Sequence, residues 1–220
     1  MFLRRFVALL QRAGTGRQAQ SASLRASQES LTPQRSELDE DRLQRLITSL
    51  SSDNEDERSG AQAEIVSLAE ESSENRRAVI NKLLLTAEEY IEEDQLVLDP
   101  DVFRFWWGAS QIFYRLQATE AIDVLIRYIY CGSGLYGINY YEPPAPGALV
   151  RMGLSAVPKL SEALLHNDNS RIRRSVALCL GGIGVAEAKQ ALEEALQSET
   201  DRDVIHHIEL ALGTIVRGSR

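Results

Sequence analysis

The sequence predicts an all-α fold, an α-solenoid of stacked helical hairpins, and two observations predict it. The apolar pattern near the C-terminal end repeats after 32 residues: Ile172, Val176, Leu180-Gly181 and Ile183 return as Val204, Ile208, Leu212-Gly213 and Ile215. The neighbouring helix repeats with the same period: Leu160, Ala163 and Leu164 return as Leu192, Ala195 and Leu196. A self-similar period of this length is typical of solenoids, in which each unit buries its apolar face only by stacking on its neighbours.

Residues 1–36 are predicted to be a basic, mostly disordered tail. They hold six arginines and one acidic residue, and few apolar residues follow position 12. As a helix, residues 2–12 form a short amphipathic segment, with Phe2, Leu3, Phe6, Leu9 and Leu10 opposite Arg4, Arg5 and Arg12. Such a segment suits an anionic membrane surface or a docking partner, but we favour the interpretation that it is a frayed tail or an upstream extension of uncertain translational start.

A repeat domain is predicted for residues 37–220, and it begins with divergent helices over residues 39–93. Helical spacing of apolar residues predicts three of them, the first around Leu43, Ile47 and Leu50, the others starting near Asp56 and Glu74. These helices fit either divergent repeats or a capping subdomain.

Regular repeats are predicted over about 101–216, and the first helix is heavily aromatic. Pro100 supplies a start signal, because proline suits the first helical turn. The rings that follow are Phe103, Phe105, Trp106, Trp107, Phe113 and Tyr114. They cannot share one face of a helix, so at least one ring meets solvent, another chain segment or a ligand. Core filling explains most of them, but a surplus of aromatics is also typical of binding sites, which makes Trp106 and Trp107 candidate partner-binding residues.

A loop insertion is predicted over residues 131–147. Its three prolines and four glycines exclude a regular helix. Long ordered loops in compact folds tend to be functional, so Tyr136, Tyr140 and Tyr141 are further candidate partner-binding residues. The alternative is that the loop only bridges an irregular junction between repeats.

The stretch from Asn169 to Ala188 resembles a HEAT-like repeat of the short type also found in phycobilin lyases. That family's units usually begin with Asp-Pro-x-Val-Arg and continue with a Leu-Gly-x-Ile-Gly turn. Here Asn169 and Ser170 replace the Asp and Pro, and Arg173 matches the Arg. The resemblance is strong over 148–216 and extends from about 102. It implies a HEAT-like or armadillo-type superhelix and a structural role for Arg173, which would hold the carbonyls or the acidic cap of the adjacent turn.

Residues around this repeat suggest caps and one further contact. Ser170 is predicted as the N-cap of the helix that ends at Gly181-Gly182, and Thr200 with Asp203 predicts a capping box for the last helix. Arg174 is freer than Arg173, so it is a candidate contact for an acidic partner or a carboxylate ligand.

The sequence predicts no catalytic residue, no metal site and no cofactor, and hence a protein that is not an enzyme. Cys131 and Cys179 lie 48 residues apart and form no Cys/His cluster; Cys179 is predicted to be buried and Cys131 exposed. His206 and His207 are adjacent on a helix and diverge, so they cannot close on one metal ion. Reduced cysteines, a short N-terminal apolar run and no membrane-spanning stretch favour a cytoplasmic location.

The predicted function is a non-catalytic protein-binding scaffold or assembly module, whose partner, another protein or peptide, binds the concave side formed by the second helices. Nucleic acid is not expected, because residues 37–99 hold eighteen acidic and six basic residues. The resemblance implies an alternative from another class, a bilin lyase-like or chaperone-lyase subunit. A third and weaker hypothesis is a membrane-peripheral adaptor that uses residues 2–12. The sequence leaves the oligomeric state open.

Overall fold

The computed structural model describes residues 38–91, 98–131 and 144–218, and over these ranges it is helical without strands. Contacts divide the chain into two units, Met1–Ser36 and Glu37–Arg220, and every described residue belongs to the second. The amphipathic segment 2–12 therefore lies outside the described residues.

Ten α-helices follow one another in the described ranges. They are α1 (Glu40–Ser49), α2 (Glu55–Glu71), α3 (Ser73–Tyr90), α4 (Pro100–Arg115), α5 (Ile122–Arg127), α6 (Pro144–Met152), α7 (Val157–His166), α8 (Ser170–Ile183), α9 (Ala186–Ser198) and α10 (Arg202–Gly218). Short 3-10 turns at Thr119–Ala121 and Gly153–Ala156 lead into α5 and α7. The predicted loop 131–147 is wrong at its end, because α6 already begins at Pro144 and proline is tolerated in the first turn of a helix.

The helices stack in two rows. The even-numbered helices α2, α4, α6, α8 and α10 each pack on the next, and α5, α7 and α9 do so in the other row. Helix α3 joins that second row through the turn Thr119–Ala121, and α1 packs on α2. The predicted all-α solenoid is confirmed.

The divergent N-terminal helices continue the same stack. Helix α2 pairs with α3 and packs on α4, in the arrangement that the later units use. One apolar core runs from Leu43 in α1 to Ile215 in α10, including the fully buried rings of Phe105, Trp106 and Phe113. The N-terminal helices therefore share one apolar core with the later units.

Two adjacent glycines in α8 let its backbone approach both of its row neighbours. A Cβ atom on Gly181 would lie 2.7 Å from Cβ and 2.8 Å from Cα of Ala211 in α10. A Cβ atom on Gly182 would lie 3.1 Å from a methyl group of Val150 in α6. The Leu180-Gly181 element of the echo thus falls on the face of α8 that packs on α10.

Both predicted N-caps are wrong by one position. Asn169 caps α8, because its Oδ1 accepts the backbone N–H of Arg171 at 3.0 Å. Asp201 plays this part for α10, since its Oδ1 accepts the N–H groups of Asp203 and Val204 at 2.9 and 3.3 Å. In each case two adjacent residues are able to cap the helix. The residue that does so is the Asn or Asp at the position where the HEAT-like repeat that the sequence resembles usually has Asp. Helix α8 also runs to Ile183, where Gly184 at φ 70° ends it.

The two cysteines are both buried. Cys179 is in the core as predicted, and burial raises the pKa of its thiol to about 12. The predicted exposure of Cys131 is wrong: its side chain is fully buried just after the turn that ends α5. Its glycine-rich neighbours suggested a surface loop, but the core extends to the last residue before them.

Replacing Gly181 by alanine is expected to lower the free energy of unfolding by roughly 2 kcal/mol, because the new methyl group must displace the backbone of α10. The matched control is Gly60→Ala in α2, where nothing lies within 4 Å of the new Cβ. That variant should gain up to about 1 kcal/mol from helix propensity. Urea unfolding followed by circular dichroism measures both, and a Gly181→Ala variant as stable as Gly60→Ala would contradict the close contact.

Candidate functional site

Three of the six predicted site residues, Trp106, Trp107 and Arg174, lie in the described ranges, and they do not come together. Trp106 is fully buried and packs edge-on against Tyr128, with ring centroids 6.0 Å apart, so its predicted partner contact is wrong and its role is core filling. Trp107 in α4 and Arg174 in α8 are partly exposed, but α6 lies between their helices in the row. Tyr136, Tyr140 and Tyr141 lie outside the described residues.

Partly exposed aromatic rings do follow one side of α4. Phe103 and Trp107 lie one turn apart with ring centroids 6.3 Å apart, and Tyr114 lies two turns further on. Arg151 of α6 covers Tyr114, with its guanidinium carbon 5.7 Å from the ring centroid, and donates a 2.8 Å hydrogen bond to Gln111. Trp107 is therefore the ring of this helix that best fits the expectation of an aromatic contact outside the core.

A concave feature lies in the other row, between α5, α7 and the start of α8. This second-helix groove has a volume of about 560 Å³. Its apolar lining comes from Ile126, Ala163 and Ile172, and its polar lining from Asp123, Arg127, Lys159, Glu162, His166, Asn167, Asp168 and Asn169. Three successive units contribute to it, so the groove exists only in the assembled stack.

Charged residues of the groove pair across successive helices. Lys159 in α7 lies 3.3 Å from Asp123 in α5 and 3.7 Å from Glu162, and the hydrogen bond to Asp123 raises the pKa of the lysine. Arg127 in α5 lies 3.1 Å from Glu88 in α3. These side chains are largely exposed, and exposed ion pairs contribute little to stability. A charged group of a bound molecule can therefore replace one partner of such an ion pair at a small cost in free energy.

Arg173 holds the turn between α7 and α8 in place. Its Nη1 donates to the carbonyl oxygens of Asn167 and Asp168 at 2.8 and 3.2 Å. Its Nε and Nη2 donate to the two carboxylate oxygens of Glu199 at 2.7 and 3.1 Å. The structural role that the resemblance implies for Arg173 is confirmed, and this turn forms one end of the groove.

Glu199 occupies the equivalent turn one period later. Its Oε1 accepts the N–H groups of Thr200 and Asp201, each at 2.9 Å. Asn167 does the same 32 residues earlier, because its Oδ1 accepts the N–H of Asn169 at 2.9 Å. The side chains of Arg173 and Glu199 are only 15% and 8% exposed. A smaller cavity of about 250 Å³ lies beside this pair.

Sequence reasoning pointed to the side formed by the second helices, but it named neither the residues that line the groove nor Glu199. Groove residues such as Asp123 and Lys159 are far apart in the chain and carry no local motif, so nothing short of the stacked structure assembles them. For Glu199 a signal existed, since it stands one period after Asn167 and two residues before the capping Asp201.

Histidine and acidic residues form no metal site in the described ranges, where no three His, Cys, Asp or Glu side chains cluster suitably. The rings of His206 and His207 are nearly perpendicular, with centroids 5.6 Å apart, and Nδ1 of His207 lies 2.6 Å from the carbonyl oxygen of Asp203. No helix of the described part has the length and apolar character needed to cross a membrane.

Comparison with known proteins gives one family. Residues 147–213 match the family model of HEAT repeats, a segment that runs from within α6 into α10. No curated protein matches the chain. The match supports the interpretation that these residues form HEAT-like repeats, and it does not distinguish the phycobilin-lyase type from other HEAT repeats.

The ion pair between Arg173 and Glu199 predicts a pH dependence. Hydrogen bonds from Arg173 hold the pKa of Glu199 below its usual value of 4.5. Because the folded-state pKa is the lower one, the stabilisation is complete above about pH 4.5 and is lost as the pH falls through the folded-state pKa. Glu199→Gln should cost roughly 3 kcal/mol near pH 7 and make the acid side of the stability curve less steep.

Urea unfolding from pH 7 to pH 3 measures this effect. The control is Glu88→Gln, which removes an exposed pair with Arg127 and should change the free energy of unfolding by less than about 1 kcal/mol. Equal effects of the two substitutions, or an unchanged acid slope in Glu199→Gln, would contradict the assigned role.

Proposed function

We propose that this protein is a non-catalytic protein-binding scaffold that holds a polypeptide segment of another protein in the second-helix groove. The observation that carries the proposal is the groove itself, which is open, spans three units and combines apolar and charged lining. The match to HEAT repeats supports it, since helical repeats of this class mostly present extended surfaces to protein partners.

The lining of the groove favours a polypeptide over other ligands. Its volume of about 560 Å³ lies within the range of ligand pockets, so it takes a few side chains of a partner rather than a whole domain. Ile126, Ala163 and Ile172 offer apolar contact, while Lys159 and Glu162 offer one charge of each sign. Acidic groups on both α5 and α7 disfavour the phosphates of a nucleic acid.

Tyrosines of the 131–147 segment are proposed as additional contacts at the margin of the groove. Cys131 is the first residue of this segment, and the hydroxyl group of the neighbouring Tyr130 accepts a 3.4 Å hydrogen bond from Asn169, which lines the groove. Tyr140 and Tyr141 supply apolar area with a hydrogen-bonding hydroxyl, which suits contacts to a peptide. Trp107 and Arg174, on the even-numbered row, are proposed as a secondary contact surface.

Selection from a displayed random-peptide library against the immobilised full-length chain tests the proposal. Selected peptides should bind in solution and should lose at least about tenfold in affinity, or roughly 1.4 kcal/mol, on Ala163→Arg. This substitution puts a long side chain into the groove on the partly exposed face of α7. Fluorescence anisotropy with labelled peptides measures the dissociation constants.

Ala186→Arg is the matched control, because Ala186 is exposed at the start of α9 and does not line the groove. It should leave peptide binding unchanged, and circular dichroism should show the same helix content in both variants. Peptides that bind the Ala163→Arg variant as tightly as wild type but bind the Trp107→Ala variant more weakly would contradict the proposal. Such a result would show that the peptides bind the even-numbered row.

A further inference from the structure

One face of helix α10 is exposed, carries both polar and apolar side chains, and has Gly213 at its centre. Its buried stripe consists of Val204, Ile208, Ala211 and Ile215. With about 100° of rotation per residue, Gly213 lies opposite that stripe. On its two sides Leu210 is 44% and Val216 51% exposed, and Glu209 and Arg217 are exposed as well.

Gly213 has no packing reason within the described structure. It stands one period after Gly181, where the missing Cβ is required by the approach of Ala211. A Cβ atom on Gly213 would meet only the Arg217 Nη2 atom at 4.0 Å. A glycine inside an exposed helix lowers the stability of the folded protein by about 1 kcal/mol relative to alanine. Because glycine has no side chain, another helix can approach the backbone closely at this position.

The exposed face is complementary to itself when two copies run antiparallel. Positions equally far before and after Gly213 then face each other across a two-fold axis. Four residues to either side, Glu209 of one copy meets Arg217 of the partner subunit. Three residues to either side, Leu210 meets Val216 of the partner subunit. Each pairing occurs twice, and all four residues lie within about 60° of Gly213 on the helix.

We propose that a second copy of this chain packs antiparallel on α10, with the two Gly213 backbones at the centre of the contact. Charge complementarity selects this occupant, because the face carries one acid and one base at symmetric positions. In the described residues neither Glu209 nor Arg217 forms an ion pair. The Arg217 Nε donates to the Gly213 carbonyl at 3.1 Å, which holds the guanidinium on this face with further N–H groups to donate.

The size of the contact sets its strength. Helix α10 has 17 residues and is therefore about 25 Å long, so two crossed copies bury less surface than a permanent dimer interface. The dimer is weak and depends on concentration, and its dissociation constant is measurable by sedimentation equilibrium of the full-length chain.

Charge reversal tests the antiparallel register. Glu209→Arg and Arg217→Glu, each alone, place like charges opposite one another twice and should weaken the dimer at least about tenfold. The double variant with both reversals restores opposite charges and should recover most of the wild-type affinity. A chain that is monomeric at every concentration, or a dimer that both single reversals leave unchanged, would overturn the proposal.

Gly213→Ala separates the interface from folding. In the free chain the new methyl group meets only the Arg217 Nη2 atom, at 4.0 Å, which is an ordinary contact, so the melting temperature should rise, as it should for Gly60→Ala in α2. Only Gly213→Ala should also weaken the dimer, because the added Cβ keeps the two helices apart. Equal dimer affinity in Gly213→Ala, Gly60→Ala and wild type would overturn the central place of Gly213.

Discussion

Close packing between successive even-numbered helices is the constraint from which the rest of the stack follows. In α8 two adjacent glycines serve two neighbours, since Gly181 admits α10 and Gly182 admits α6. No unit buries its apolar face alone, so the distance between neighbouring helices determines how far the surrounding residues are buried. Leu180 is fully buried under α10, whereas Leu212, one period later, is only partly buried.

The turns between units carry a second periodic element, and it positions the groove. Asn167 and Glu199 each accept the backbone N–H two residues ahead, and Arg173 ties both turns together by donating to the first turn's carbonyls and to Glu199. The helices set the distance between units, while this buried pair sets the path of the chain at one edge. The proposed partner site lies against that edge, so a rigid turn supports a groove whose own ion pairs are exposed and exchangeable.

The sequence predicts the parts of the fold that repeat. It fails where two adjacent residues compete to cap a helix, and where burial depends on residues far along the chain. Periodic leucines and glycines predicted the solenoid, because the repeat records the stacking face directly. The caps were off by one residue, since Asn169 and Ser170 are both capable acceptors. Trp106 was named as a candidate contact and Cys131 was predicted to be exposed because ring count and glycine neighbours are local signals, while burial depends on helices far along the chain. The residues that line the groove were missed for the same reason.

The central claim is that α2 to α10 form one continuous stack whose stability comes from contacts between neighbouring units. Native-state hydrogen exchange, resolved by residue, measures it most directly. The account predicts the slowest exchange in α4, α6 and α8, which have row neighbours on both sides, with protection that decreases without interruption toward α1 and α10. Protection that breaks between α3 and α4, with each side exchanging as an independent unit, would contradict it.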